Sequence, residues 1–233
     1  MRPLLPLVVL VGLLIGCDAA TPDGPPSEPP DAGNRLYTPE QVDHFLQVAM
    51  GTKFGGNTRI VRRWARDVRI AVYGSPTEAE RQTLADVVAD VNGIVESIKL
   101  VLVDHLENPF VFVKFIGPSD FVSFEPNYVP GNLGFFYANW NGQCEVFRAS
   151  VLIATEGVTQ TERSHLIREV LTQSLVFMND SNRYPDSMFC APWTAVTTYA
   201  PVDRAVVDML YRPEIRPCMT ATAARRALEA IAE

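Results

Sequence analysis

Arg168-Glu-Val-Leu-Thr-Gln-Ser-Leu-Val-Phe-Met-Asn179 is the stretch that decides the fold. Leu166, Ile167, Val170, Leu171 and Leu175 recur three and four apart, the spacing of a buried helical stripe. His165, Glu169 and Gln173 are spaced by four and stack along a second, polar face. Thr159-Gln-Thr-Glu162 has the form of a capping box, with Thr161 as the alternative cap. The helix is expected to end near Phe177. Asn179-Asp180-Ser181-Asn182 then reads as a helix cap and turn, or as the rim of a cleft.

Upstream, Pro39 to Val48 reads as a short helix capped by Thr38, and Val68 to Tyr73 alternates as a strand. Ser75-Pro76-Thr77-Glu78 reads as a helix start with Ser75 as cap, the helix running to about Ile98. Leu100 to Val103 and Val111 to Phe115 are expected strands. Phe135 to Trp140 and Val146 to Ala154 form a hairpin through Asn141-Gly142. Downstream, Met188 to Tyr199 is irregular. Helices follow at Pro201 to Tyr211 and at about Thr220 to Ala232. This order gives an α+β domain: a small mixed sheet, a long backing helix, the polar-faced helix and a helical C-terminal part.

The spacing in 168–179 resembles the metzincin zinc motif, His-Glu-x-x-His-x-x-Gly-x-x-His. With Glu169 on the first His, Gln173 falls on the second and Asn179 on the third. Ser187-Met188-Phe189 resembles the metzincin Met-turn, and Tyr199-Ala-Pro-Val-Asp203 resembles the stretch that follows it. The stretch 160–220 resembles a family of bacterial envelope lipoproteins known only as a domain of unknown function, whose members look like zincins. The resemblance implies a zincin-like fold with Met188 beneath the site and Tyr184 at a cleft.

The chemistry of the motif is missing. Glu169, Gln173 and Asn179 offer one carboxylate and two neutral amides, a set that suits zinc poorly. Val170 stands where the catalytic Glu would, and cannot act as a base. Val176 replaces the Gly at which metzincins turn, so the helix is expected to continue and to carry Asn179 away from the other two. No cofactor and no metal is expected. His165 with Glu169 is the alternative metal pair. His44 and His105 lie far off in sequence, in an expected helix and an expected loop. Asp186 and Asp203 read as caps or ion-pair members, with Arg168 and Arg204 as partners.

Residues 1–16 read as a lipoprotein signal: Arg2, then apolar Leu4 to Ile15, then Leu14-Ile15-Gly16-Cys17, which resembles a lipobox. Cys17 is the expected acylation site, palmitate-like chains holding the protein to a membrane. Residues 17–34 carry five prolines after Cys17 and no large apolar residue, a tether reaching roughly 50 Å if extended. Residues 35–233 form the globular domain. The 233-residue chain has 20 basic and 27 acidic residues. That balance disfavours nucleic acid as a partner. The expected place is the cell envelope on the periplasmic side, inner or outer membrane undecided.

Cys144, Cys190 and Cys218 remain in the domain, enough for one disulfide, with Cys190–Cys218 preferred. The leading functional expectation is a lipid-anchored, non-catalytic zincin-like module that binds a peptide or an envelope protein. Its candidate cleft residues are His165, Glu169, Gln173, Asn179, Asp180 and Tyr184. The alternative is a metal-dependent peptidase or hydrolase built on His165 and Glu169. A third reading places function on the aromatic loop 118–140, at Phe121 and Tyr128.

Overall fold

A computed structural model describes residues 35–51, 59–104 and 107–232. The expected signal at 1–16, Cys17, the expected tether at 17–34 and His105 lie outside the described residues. Helix α1 spans Pro39–Val48, capped by Thr38 in a reciprocal box with Gln41. Strands β1 (Arg63–Trp64) and β2 (Val68–Gly74) lead to helix α2 (Glu78–Ile94). The cap of α2 is Thr77 rather than Ser75, because Glu80 at the third helical position returns a bond to the Thr77 amide. Then come β3 (Leu100–Leu102), β4 (Val111–Ile116), a 3-10 turn at Pro118–Asp120 and the short α3 (Phe121–Phe124). Strands β5 (Gly134–Trp140) and β6 (Glu145–Ala154), then helices α4 (Gln160–Gln173), α5 (Pro201–Tyr211) and α6 (Ala221–Glu229), complete the order.

The expected α+β architecture is the one found. β1, β2, β3, β4 and β6 pair in parallel, and β5 joins β6 antiparallel. The registers Ile70↔Val111 and Val113↔Val151 stack apolar side chains on one face, as parallel pairing between covered strands requires. Leu84, Val87 and Val91 of α2 are buried in that core. On the other face Phe121, Phe135, Leu152 and Ala154 form a smaller cluster. Two ion pairs fasten α2 to α4: Arg163–Glu80 and Arg168–Asp90, at 2.7 and 2.6 Å. Arg168 therefore pairs with Asp90, not with Asp186 or Asp203. Among the described residues β5 pairs only with β6, so its outer edge is open.

The hairpin differs in detail from a two-residue turn. Asn141 accepts on its side-chain oxygen from the amides of Gln143 and Glu145, and Cys144 takes a positive φ of 62°. The loop is thus four residues long, closed by an Asn side chain. Its tip determines the disulfide. The bridge is Cys144–Cys218, with Cα atoms 5.3 Å apart, and Cys190 is the free thiol. The preference for Cys190–Cys218 is corrected. The cause is β1, which was not visible in the sequence. Arg63 N donates to Cys144 O, and Cys218 N donates to Val61 O, so one short segment holds both cysteines side by side.

The polar-faced helix also departs from expectation. Thr159 is its cap, with Glu162 completing the box. The helix does not continue to Phe177. It ends at Gln173, and Val176 adopts φ 78°. The chain turns where metzincins place Gly, although Val is strained there by about 1–3 kcal/mol. Val176 is fully buried, which is worth about 2 kcal/mol and offsets the strain. Trp64, also buried, donates Nε1–H to the Ser174 carbonyl at 3.1 Å and so satisfies an acceptor at the buried helix end.

His44 of α1 is fully buried, and neither ring nitrogen finds a hydrogen-bond partner among the described residues. Its ring meets the Tyr184 edge at 4.8 Å. Burial, with the Arg183 charge adding to it, pulls its pKa from 6.5 down to about 4. The native state therefore refuses a proton that the unfolded chain takes up below about pH 6.5, so this group costs stability as pH falls from 6.5 towards 4. On going from pH 8 to pH 5 the loss is about 2 kcal/mol. His44→Leu is expected to lose about that much less than the wild type over the same interval in urea unfolding. Equal pH dependence in both proteins would refute the assignment.

Candidate functional site

A cavity of about 880 Å³ lies between β5 and α4. β5 supplies one wall, from Gly134 through Phe136 and Tyr137 to Trp140. α4 supplies the other, with His165, Leu166, Glu169, Val170 and Gln173 facing in. Cys190, Ala191, Pro192 and Trp193 close over it, and Trp193 stays 55 % exposed. Arg62 and Met178 line it as well. Gly134 permits the close contact of the two walls: a Cβ there would stand 2.9 Å from Leu166 Cδ2 and 3.1 Å from Val170 Cγ1.

The i, i+4 spacing delivers the polar row. His165 Nε2 lies 3.3 Å from Glu169 Oε2, and Nδ1 lies 2.6 Å from the Val196 carbonyl. Nδ1 is therefore the donor to Val196. Burial works against charge on this imidazole, but the bonds to Glu169 and Val196 and the Glu169 charge outweigh it and raise the pKa. The Trp193 ring sits edge-on, 5.7 Å away. Gln173 Nε2 donates to Asp180 Oδ1 at 2.9 Å. Burial pushes the Cys190 thiol up, and the charges of Asp180, Asp186 and Glu169 push it further, so it stays protonated at neutral pH.

Of the six candidate cleft residues, His165, Glu169, Gln173 and Asp180 are brought together at the cavity. The other two are not. Asn179 is neither a cap of α4 nor a cavity residue: Nδ2 donates to the carbonyls of Met50 and Gln47, and its amide to Val48 O. It ties the end of α1 to the chain after the turn. Tyr184 packs against His44 rather than at a cleft. Sequence reasoning missed Arg62 and the Trp193 segment, while Trp140 lies in the aromatic stretch 118–140 of the third reading. Only the basic, aromatic run 59–66 signalled the first of these.

Met188 is buried, and its segment is pinned from below. Ser187 Oγ donates to Asp203 Oδ1 at 2.6 Å, while the amides of Met188 and Ala200 donate to Oδ2, each at 2.9 Å. Asp203 thus acts as a cap for α5 and as the anchor of the turn; Arg204 is not its partner. Thr172 Oγ1 meets the Tyr199 hydroxyl at 2.6 Å, and Arg168 lies over that ring. The aromatic loop is divided: Phe121 is fully buried and Tyr128 packs on Phe121 and Phe135, whereas Phe124 is exposed and Phe136, Tyr137 and Trp140 line the cavity. Phe121 and Tyr128 therefore report on packing rather than on a docking surface.

The metzincin ligand positions do not fit zinc. Glu169 engages His165, Gln173 engages Asp180, and Asn179 faces backbone carbonyls 129 and 132 positions away in sequence. Among the described residues no group of three or more His, Cys, Asp or Glu could hold a metal ion.

No curated protein matches the chain. Two solved structures of myroilysin are similar to it at 11 % and 10 % identity, with TM-scores of 0.41 and 0.42. The first covers 65 % of this chain and 82 % of that one; the second covers 76 % and 98 %. Likeness at this level carries no argument about function. The model of a protein of unknown function, DUF2927, matches residues 39–230. That range takes in all of the secondary structure from α1 to α6, and the protein belongs to the DUF2927 family.

Proposed function

We propose that this protein is a lipid-anchored envelope protein whose zincin-like domain binds an extended peptide or protein segment without hydrolysing it. The observation that carries the reading is the open outer edge of β5, which runs along the cavity opposite α4. An unpaired strand edge offers a row of amides and carbonyls to a further strand, and pockets beside it read alternate side chains. Phe136, Trp140 and Trp193 supply apolar and aromatic surface of the kind that dominates peptide contacts. The membrane would be reached through acylated Cys17 and the tether, outside the described residues.

One observation favours the second reading, a metal-dependent hydrolase on His165 and Glu169. The Val196 carbonyl fixes Nδ1 and turns Nε2 inward, as a metal-ligating imidazole is oriented. Two donors alone hold a metal weakly, so the binding reading is preferred.

The test uses pooled hexapeptides of alternating apolar and polar residues, titrated into the protein while tryptophan fluorescence is followed. Binding is expected in the micromolar range. Trp193→Ala should weaken it about 10-fold or more, the loss typical of an aromatic anchor. Peptides recovered after prolonged incubation with zinc should be intact by mass spectrometry. Absence of binding, or cleavage abolished by Glu169→Gln, would overturn the proposal.

A further inference from the structure

Resting on that reading of the groove, the geometry points to Arg62 as a carboxylate-recognition site at the Trp140 end of the cavity, selecting ligands with an acidic group there. Arg62 is only 6 % exposed, yet it lines the cavity. Its guanidinium carbon lies over the Trp140 ring, 4.3 Å from the centroid, a cation–π contact that holds the head group in place. Five N–H donors are available on such a group, and it keeps its charge at any working pH. Among the described residues it makes one side-chain hydrogen bond, from Nη1 to the Gly51 carbonyl at 3.3 Å, and Nε is buried with no partner.

Buried cations are ordinarily paired, because an uncompensated charge out of water is costly. Arg62 forms no ion pair among the described residues. The two carboxylates that share the cavity are engaged elsewhere: Glu169 with His165, and Asp180 with Gln173. The neighbouring Arg63 shows the contrast. It is equally buried, but its fork is filled by the carbonyls of Arg212 and Ile215 and by Ser97 Oγ. Arg63 is structural; Arg62 is a cation held in place with its donors in reserve. A planar fork of that kind matches a carboxylate, to which it can give two parallel bonds.

Two sources supply such a group: the C-terminal carboxylate of a peptide and an internal Asp or Glu. The same hexapeptide pools distinguish them when prepared as free acids, as C-terminal amides, and as amides with one Glu placed at each position in turn. Free acids, or one Glu position among the amides, are expected to bind about 10- to 100-fold tighter than plain amides, the range for charge-assisted bonds. Whichever form shows the preference names the source. Arg62→Gln should erase the preference of acid over amide, and Arg62→Lys should keep part of it. The comparison of acid with amide on the wild-type protein stands even if a variant fails to fold. Equal binding of all three forms by the wild type refutes the Arg62 site and leaves the groove reading intact. No binding by any pool refutes the groove reading and the site with it.

Discussion

Asp203→Ala is expected to lower the stability of the domain by about 4 kcal/mol, which for this size is roughly an 8–16 °C fall in Tm. The carboxylate is fully buried and accepts from Ser187 Oγ and from the amides of Met188 and Ala200. Alanine leaves all three donors buried without an acceptor, and each orphaned group costs about 1–3 kcal/mol. Burial raises the Asp203 carboxyl above its ordinary value despite those three bonds. A buried carboxylate is thus an expensive anchor, but removing it is costlier still, because the turn is built around it. Asp203→Asn should be milder, since one oxygen remains and only one of its positions meets a donor with a donor. The loss should also reach the cavity, because Cys190 to Trp193 follow directly on the pinned turn. A Tm within 3 °C of wild type for Asp203→Ala would show that the Met188 turn is held by something else.

Much of the fold could be read from local rules. The boundary of α4 is written in Thr159 and Glu162, and its burial in the stripe from Leu166 to Leu171. The role of Asp203 as a cap followed from its place three residues into α5. What failed was non-local. β1 is two residues long and has no periodicity to detect; it exists because β6 pairs with it and because Cys218 and Met219 pair with Val61 just before it. Val176 looked incompatible with a turn, since β-branched residues avoid positive φ, and only its burial reverses that preference. The site divides in the same way. His165, Glu169 and Gln173 were legible because one helix carries them. Asn179 and Tyr184 were misplaced because their position depends on the turn at Val176. Arg62 lies in a run, Arg59 to Arg66, that reads as a charged surface, and nothing local says that Trp140 will cover it.

The disulfide is the other place where one change should be large. Cys144 and Cys218 are separated by 74 positions, and closing a loop of that length in the unfolded chain stabilises the native state by about 4 kcal/mol on the chain-entropy account. The bridge also ties the β5–β6 hairpin to the chain entering α6, across the segment from Val61 to β1, so its loss loosens the stretch that carries Arg62 to the cavity end. Cys144→Ala and Cys218→Ala should each lower Tm by roughly 8–16 °C. The double variant should cost no more than either single one, because both remove the same constraint. Cys190→Ala is expected to change Tm by less than about 2 °C, since that thiol is half-buried and bonded to nothing covalently. The pattern decides between the pairings without any count of free thiols: a neutral Cys144→Ala beside a costly Cys190→Ala would restore the Cys190–Cys218 pairing and remove the clamp across β1.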